Sequence, residues 1–151
     1  EIAKRYPDWK LDIYGDGSCR EELQRQINSL QLVDKVKLCG RNDNIIELYP
    51  KYSLHLMTSR YEGLPMTLIE AQACGLSSVV FDYQYGASDI VSNGHNGLII
   101  EQGNRKLFIE AAMKMMSFKE LRKEYGTNAI SISKQYYRDN IINKWIQIIN
   151  N

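Results

Sequence analysis

A chain of 151 residues is long enough to bury a core of its own, and 44% hydrophobic with 25% charged residues is the balance of an ordinary globular protein, not of a disordered or fibrous one. Nineteen Lys and Arg against eighteen Asp and Glu leave a formal net charge of +1, which excludes a bulk field that recruits nucleic acid or an acidic surface. Three scattered cysteines, Cys19, Cys39 and Cys74, make no C-x-x-C pair and no even disulfide framework, so a reducing cytoplasm fits them best, and no apolar run is long enough to span a bilayer.

The opening "EIAKRYPDWK" reads like the end of a helix running into a strand, with no initiator methionine, which suggests a chain cut from something longer. Residues 10–14 then read as a strand, followed by the turn "GDGS" and a helix over 19–30 with Leu23, Ile27 and Leu30 on one face. A second strand is expected at 35–39, a short helix over 43–51 that stops near Pro50, and a third strand at 53–59. The next helix starts at Pro65 and closes at Gly75, before a fourth strand at 77–81, a helical turn at 87–92 and a fifth strand at 97–101. Three helices end the chain, over 106–116, 119–133 and 138–149, the last with Ile141, Ile142, Trp145, Ile148 and Ile149 apolar. Short strands separated by helices predict an α/β fold, a Rossmann-like parallel sheet flanked by helices, in one compact domain over 1–151. Such sheets bind ligands beyond the carboxyl ends of their strands, so the loops after Tyr14, Cys39, Ser59 and Phe81 are the candidate sites.

Gly15 and Gly17, in "GDG", let backbone amides approach a phosphate or sugar closely, although a plain tight turn explains them equally. Arg20 stands where a dinucleotide fingerprint needs its third glycine, which disfavours a nicotinamide or flavin enzyme. The stretch "RYEGLPMTLIEAQACG" is more informative. Gly63 and Leu64 place amides at the positive end of the helix that begins at Pro65, where a diphosphate would be held. Glu62 lies just before that helix and Glu70 about 7–8 Å along its axis, on a face shared with Thr67 and Cys74. A carboxylate in so apolar a helix either meets donors such as the paired hydroxyls of a ribose or pyranose, or reaches solvent, and spacing alone leaves both open. In the following loop Gly86 permits a sharp turn and Ser88 with Asp89 would cap a short helix, while His95 in "SNGHNG" reads as a solvated loop histidine and His55 as a core or flanking one. The two histidines and scattered cysteines form no metal site, and no Ser, His, Asp set emerges.

Taken in order, "YGDGS", "VDKVKLCGR", "LYPKYSLHLMTSRYEGLPMTLIEAQACG" and "SSVVFDYQYGASDIVSNGHNGLII" resemble the C-terminal, donor-binding half of the GT-B glycosyltransferases, specifically glycosyltransferase family 4, over roughly Leu11 to Ile100. The most diagnostic element is a glutamate, seven residues and a second glutamate, met by Glu62 and Glu70. The resemblance implies that Glu62, the catalytic candidate, contacts hydroxyls of the donor sugar and that Glu70 binds the ribose diol. It places the amides of Gly63, Leu64, Met66 and Thr67, around Pro65, at the diphosphate, Arg41 and Asn42 near the base, and the Gly15–Gly17 loop in the same cleft. It further implies a retaining transfer without an active-site metal or other cofactor, from a nucleotide-diphosphate sugar to a glycan or lipid-linked acceptor. That acceptor would be held by an N-terminal domain outside this chain, with no nucleic-acid partner.

The expected setting is cytoplasmic, with peripheral association at the inner face of the membrane an open option for the full-length protein. The family's cationic segment that neutralises the diphosphate does not precede Glu1, so the chain is expected to fold but not to turn over alone. Where many members carry two glycines this chain has Tyr85 and Gly86, and "YGASDIV" is closer to a "GPSEII" variant of bacterial surface-polysaccharide enzymes. A nucleotide-sugar epimerase of the same architecture fits less well. The alternative from another class is a non-catalytic nucleotide-sugar-binding module or a partner-docking Rossmann-like domain.

Overall fold

The computed structural model describes residues 1–83 and 86–150, so the Tyr85 of the "YG" variant lies outside the described residues. The chain divides into two compact units, Glu1–Ile45 and Ile46–Asn151, taken here one at a time.

In the first unit a short helix α1 (Ile2–Arg5) leads to β1 (Leu11–Tyr14), α2 (Arg20–Ser29) and β2 (Val36–Gly40). The two strands pair in parallel from Leu11 with Val36 to Ile13 with Leu38, and then slip so that Tyr14 meets Gly40. Gly40 sits at φ +72, a left-handed conformation that glycine adopts without strain. Helix α2 ends with Gln31 at φ +56, its N–H on the Asn28 carbonyl at 3.0 Å and that of Leu32 on Ile27 at 2.9 Å. This is a Schellman closure carried by a residue other than glycine.

The second unit begins with two 3-10 turns, Ile45–Glu47 and Tyr49–Lys51, in place of the single helix expected over 43–51. Pro50 inside that run offers no N–H and clashes with the carbonyl four residues back, so the chain turns three residues at a time. Then come β3 (His55–Met57), α3 (Met66–Ala73), β4 (Ser78–Asp82), α4 (Ala87–Ile90), β5 (Gly97–Glu101), α5 (Arg105–Ser117), α6 (Lys119–Ser133) and α7 (Arg138–Ile149). The three strands form a parallel sheet in the order β3-β4-β5, with His55 beside Ser78 and Ser78 beside Gly97. Central strand β4 is buried from Ser78 to Phe81, as its unbroken apolar run requires when both faces are covered.

Alternation along the strands sorts the core. Val80 points into a cluster with Met57, Leu68, Ile69, Tyr83 and Ile90, while Val79 and Phe81 point the other way, onto Phe108, Ala111, Met115 and Tyr125. Helix α3 closes in a Schellman turn: Gly75, at φ +81, donates to the Gln72 carbonyl at 2.9 Å and Leu76 to that of Ala71 at 3.0 Å. Helix α6 then packs onto this turn through Gly126, where an added Cβ would stand 2.2 Å from the Gly75 carbonyl oxygen. Asn104 caps α5 by accepting from the Leu107 N–H at 3.2 Å. Helix α7 leaves Ile142, Trp145, Ile146 and Ile149 exposed. Among the described residues no helix is long and apolar enough to cross a membrane.

Candidate functional site

The loop that leaves β3 turns back at Gly63 and Leu64, both exposed, and enters α3 through the buried Pro65, which is the helix cap and not its first residue. The Pro65 carbonyl accepts from the N–H groups of Leu68 at 3.0 Å and Ile69 at 3.2 Å. The N–H groups of Gly63, Leu64, Met66 and Thr67 have no hydrogen-bond partner among the described residues. A helix start with unpaired, exposed donors carries partial positive charge and is a ready anion site.

Gly86, just before α4, is laid against this turn. A Cβ on Gly86 would come 3.2 Å from Pro65 Cδ and 3.3 Å from the Gly63 carbonyl oxygen, a tight fit, and Gly86 has φ +97, a conformation that favours glycine. Gly86 also changes one expectation. It stands at the cap position of α4, so Ser88 and Asp89 fall inside the helix and no side chain caps it.

The two carboxylates occupy different surroundings on this one element. Glu62 is half-buried beside Tyr83, whose buried phenol sits 3.9 Å from the Met57 sulfur and is pushed up to about 12 by burial and then by the Glu62 charge. Glu70, also half-buried, meets no Lys or Arg among the described residues. Its neighbour is the phenol of Tyr49, whose oxygen is 3.5 Å from Glu70 Oε2 and 3.2 Å from the Thr67 carbonyl oxygen. Burial, with the Glu70 carboxylate second, holds the Tyr49 phenol far above its ordinary value and raises the Cys74 thiol as well. Cys74 in turn lies with Sγ 3.8 Å from the Ile46 carbonyl. Both neighbours of Glu70 are therefore neutral near pH 7, and the cluster keeps one negative charge whose remaining acceptor sites are open to a donor-rich ligand.

Behind Tyr49 lies His55, with ring centroids 6.4 Å apart and planes at 87°, and its Nδ1 is 3.2 Å from Ser78 Oγ. His55 is itself part-buried, and desolvation lowers its imidazole to about 4, so it is neutral near pH 7. His95 is exposed, while the neighbouring Asn96 is wholly buried. The Asn96 amide nitrogen donates to Gln72 Oε1 at 2.8 Å and to the Ile90 carbonyl at 2.9 Å, and its oxygen accepts from the Ser92 N–H at 2.6 Å. That network pins the "SNGHNG" turn to the last turn of α3 through Gln72.

In the first unit, Gly15 and Gly17 help to line a cavity of about 260 Å³ with Ile13, Asp16, Arg20 and Leu38. A Cβ at either glycine would meet nothing within 4 Å, and Gly15, at φ +125, is the one that conformation demands. Arg20 donates to the Leu38 carbonyl at 3.2 Å across that cavity. Arg41 is exposed and paired with Asp43 at 3.0 Å, and Asn42 accepts from the Asn44 N–H at 2.8 Å, so both side chains shape their own loop. Of the residues singled out from sequence, Glu62 to Thr67 lie at the start of α3 and Glu70 about one turn further along it, while Gly15, Gly17, Arg41 and Asn42 belong to the first unit. Tyr49, Tyr83 and Asn96 escaped the sequence reading. Each acts through contacts with another element, and no local pattern announces such contacts.

Known proteins resemble this chain in sequence and fold. The family described as "Glycosyl transferases group 1" matches residues 1–132. The chain is 32% identical over 149 residues to the poly(glycerol-phosphate) alpha-glucosyltransferase of Bacillus subtilis, covering 99% of this chain and 22% of that protein. It is 33% identical over 142 residues to the amylovoran biosynthesis glycosyltransferase AmsD of Erwinia amylovora, covering 94% of this chain and 40% of that one. Among solved structures, a mutant of S. aureus TarM in complex with Fondaparinux, alpha-GlcNAc-glycerol and UDP superposes with a TM-score of 0.91 at 28% identity, covering 99% of this chain and 31% of that one. Anabaena HepE in complex with UDP and glucose gives 0.87 at 25% identity, with 98% and 42% covered. The chain thus spans well under half the length of these relatives, and it has the fold of the C-terminal half of a GT-B glycosyltransferase. With a family match that runs from the first residue through α6, the chain belongs to the glycosyl transferases group 1.

Proposed function

We propose that the chain is the donor-binding half of a retaining glycosyltransferase of family 4. The whole protein would transfer a sugar from a nucleotide-diphosphate donor to a glycan or lipid-linked acceptor, in bacterial capsule, lipopolysaccharide or exopolysaccharide synthesis. The observation that carries this reading is the exposed start of α3, where the amides of Gly63, Leu64, Met66 and Thr67, without a hydrogen-bond partner among the described residues, lie in sequence between the half-buried Glu62 and Glu70. In this reading the amides meet the diphosphate in place of a metal ion, Glu70 accepts from the ribose diol, and Glu62 accepts from hydroxyls of the sugar. The loops of Gly15, Gly17, Arg41 and Asn42 serve the nucleotide end. In the transfer the anomeric bond to the diphosphate breaks, a bond to an acceptor hydroxyl oxygen forms on the same face, and the hydroxyl proton leaves with the departing diphosphate. The developing charge on the diphosphate then strengthens its attraction to the amides. The relatives that act on poly(glycerol-phosphate) and in amylovoran biosynthesis, and neighbours that hold UDP, support this substrate class. The protein would work in the cytoplasm, at the inner face of the membrane when its acceptor is lipid-linked.

Two substitutions test the assignment by calorimetry with UDP and UDP-sugars. Glu70→Gln should weaken UDP binding about tenfold, the loss of a charge-assisted hydrogen-bond pair. Glu62→Ala should weaken a UDP-sugar more than UDP itself. Unchanged UDP affinity in the first variant removes the ribose role, and an equal loss for both ligands in the second removes the sugar role. Nucleotide-sugar binding by a longer natural form that transfers nothing to any acceptor would favour the non-catalytic binding module.

A further inference from the structure

Helix α3 buries Leu68, Ile69, Ala71 and Gln72, and Glu70 is left half-buried on the remaining face. A carboxylate there has several rotamers, and only some present an oxygen to a ligand at the helix start. Side-chain freedom of this kind costs affinity whenever a ligand must freeze it. The structure supplies a group that removes the freedom. Tyr49 is 6% exposed, and its ring is backed edge-on by His55, which is itself fixed to Ser78 on the central strand. Its hydroxyl stands between Glu70 Oε2 at 3.5 Å and the Thr67 carbonyl at 3.2 Å.

A phenol has one proton to donate and here faces two acceptors, and of the two the carboxylate is the charged one. We infer that Tyr49 is the positioning residue for Glu70: its hydroxyl holds Oε2 on the protein side, so that Oε1 is presented to a pair of ligand hydroxyls. The inference rests on the reading of Glu70 as a diol acceptor. A carboxylate offers about four lone-pair sites, enough for the phenol and both hydroxyls together. Should the ligand draw Oε2 away, the Thr67 carbonyl accepts the phenol's hydrogen bond, so neither ligand state strands a buried donor. The raised phenol and thiol of Tyr49 and Cys74 fit this arrangement, since both stay neutral beside the charge.

The test is a double-mutant cycle on the whole chain with Tyr49→Phe, Glu70→Gln and the pair, read by UDP calorimetry, together with the carbon-13 signal of Tyr49 Cζ in the ligand-free protein. Phe keeps the ring and its packing, so only the hydroxyl is examined. Tyr49→Phe should weaken UDP about fivefold when residue 70 is Glu and less than about twofold when it is Gln, as one modest hydrogen bond to a charged group implies. The Tyr49 Cζ signal should shift on Glu70→Gln without any ligand. Losses that multiply independently, a Tyr49→Phe chain that binds UDP as tightly as wild type while Glu70→Gln does not, or an unmoved Cζ signal would each overturn the positioning role. Wild type that binds no UDP, or Glu70→Gln that binds it equally well, overturns the nucleotide reading itself and the role of Tyr49 with it.

Discussion

The packing of α6 on the end of α3 makes a sharp prediction for Gly126→Ala. Two effects oppose each other. Alanine in the middle of a helix is favoured over glycine by about 1 kcal/mol, and on an open surface the substitution would stabilise. At this position the new Cβ would stand 2.2 Å from the Gly75 carbonyl oxygen and 3.2 Å from its carbon. An ordinary contact needs about 3.5 Å, so the helix and the turn must part by roughly 1 Å. The obstacle is backbone in a Schellman turn and cannot rotate away, and the next turn of α6 already places Ile130 beside Gly75. Overpacking of this kind costs about 3 kcal/mol, at the upper end of its usual range, and about 2 kcal/mol remains after the helix gain. For a chain of this size that is a fall in Tm of roughly 4–8 °C. Urea and thermal unfolding followed by circular dichroism decide the matter. A Gly126→Ala chain as stable as wild type, or stabilised by the propensity gain, would refute the close approach of α6 to Gly75.

His55, Asn96 and Gly86 give three further expectations. Burial holds His55 at about 4 against about 6.5 in an unfolded chain, so its contribution is complete above pH 6.5 and is lost as pH falls to 4. That contribution is at most about 3 kcal/mol, and the stability gap between wild type and His55→Gln should shrink between pH 7 and 4.5 in urea titrations. A gap constant with pH would contradict the burial. Asn96→Ala strips partners from Gln72 Oε1, the Ile90 carbonyl and the Ser92 N–H, and should cost about 3 kcal/mol in the same assay; a loss below about 0.5 kcal/mol would contradict the network. Gly86→Ala meets both a left-handed φ and Pro65, and should lower stability by about 2 kcal/mol and weaken UDP binding together. Wild-type affinity in that variant would separate Gly86 from the site.

Much of this was legible from residue order because local chemistry dictates it. The "SSVVF" run reads as a strand and is one, its burial on both faces following from the central place of β4, and Gly75 closes α3 because a Schellman turn needs a left-handed residue. Where sequence and structure part, a nonlocal or competing effect is responsible. Pro50 breaks the expected 43–51 helix into 3-10 turns, and a left-handed Gly86 takes the cap position that Ser88 and Asp89 would have filled. Tyr49 lies 21 residues from Glu70, on a turn with no periodicity of its own, so nothing along the chain marks the two as partners. Asn96 sits in a dipeptide that reads as a surface turn, and its burial follows only once Gln72 and Ile90 are placed around it.

The central claim is that the start of α3 is the diphosphate end of a nucleotide-sugar site, and amide NMR of the chain titrated with UDP tests it most directly. The account predicts concerted, saturable shifts of the Gly63, Leu64, Met66 and Thr67 amides, which in Glu70→Gln need about tenfold more UDP to reach the same extent. Saturable shifts confined to other parts of the chain, or none at these four amides at millimolar UDP, would contradict it.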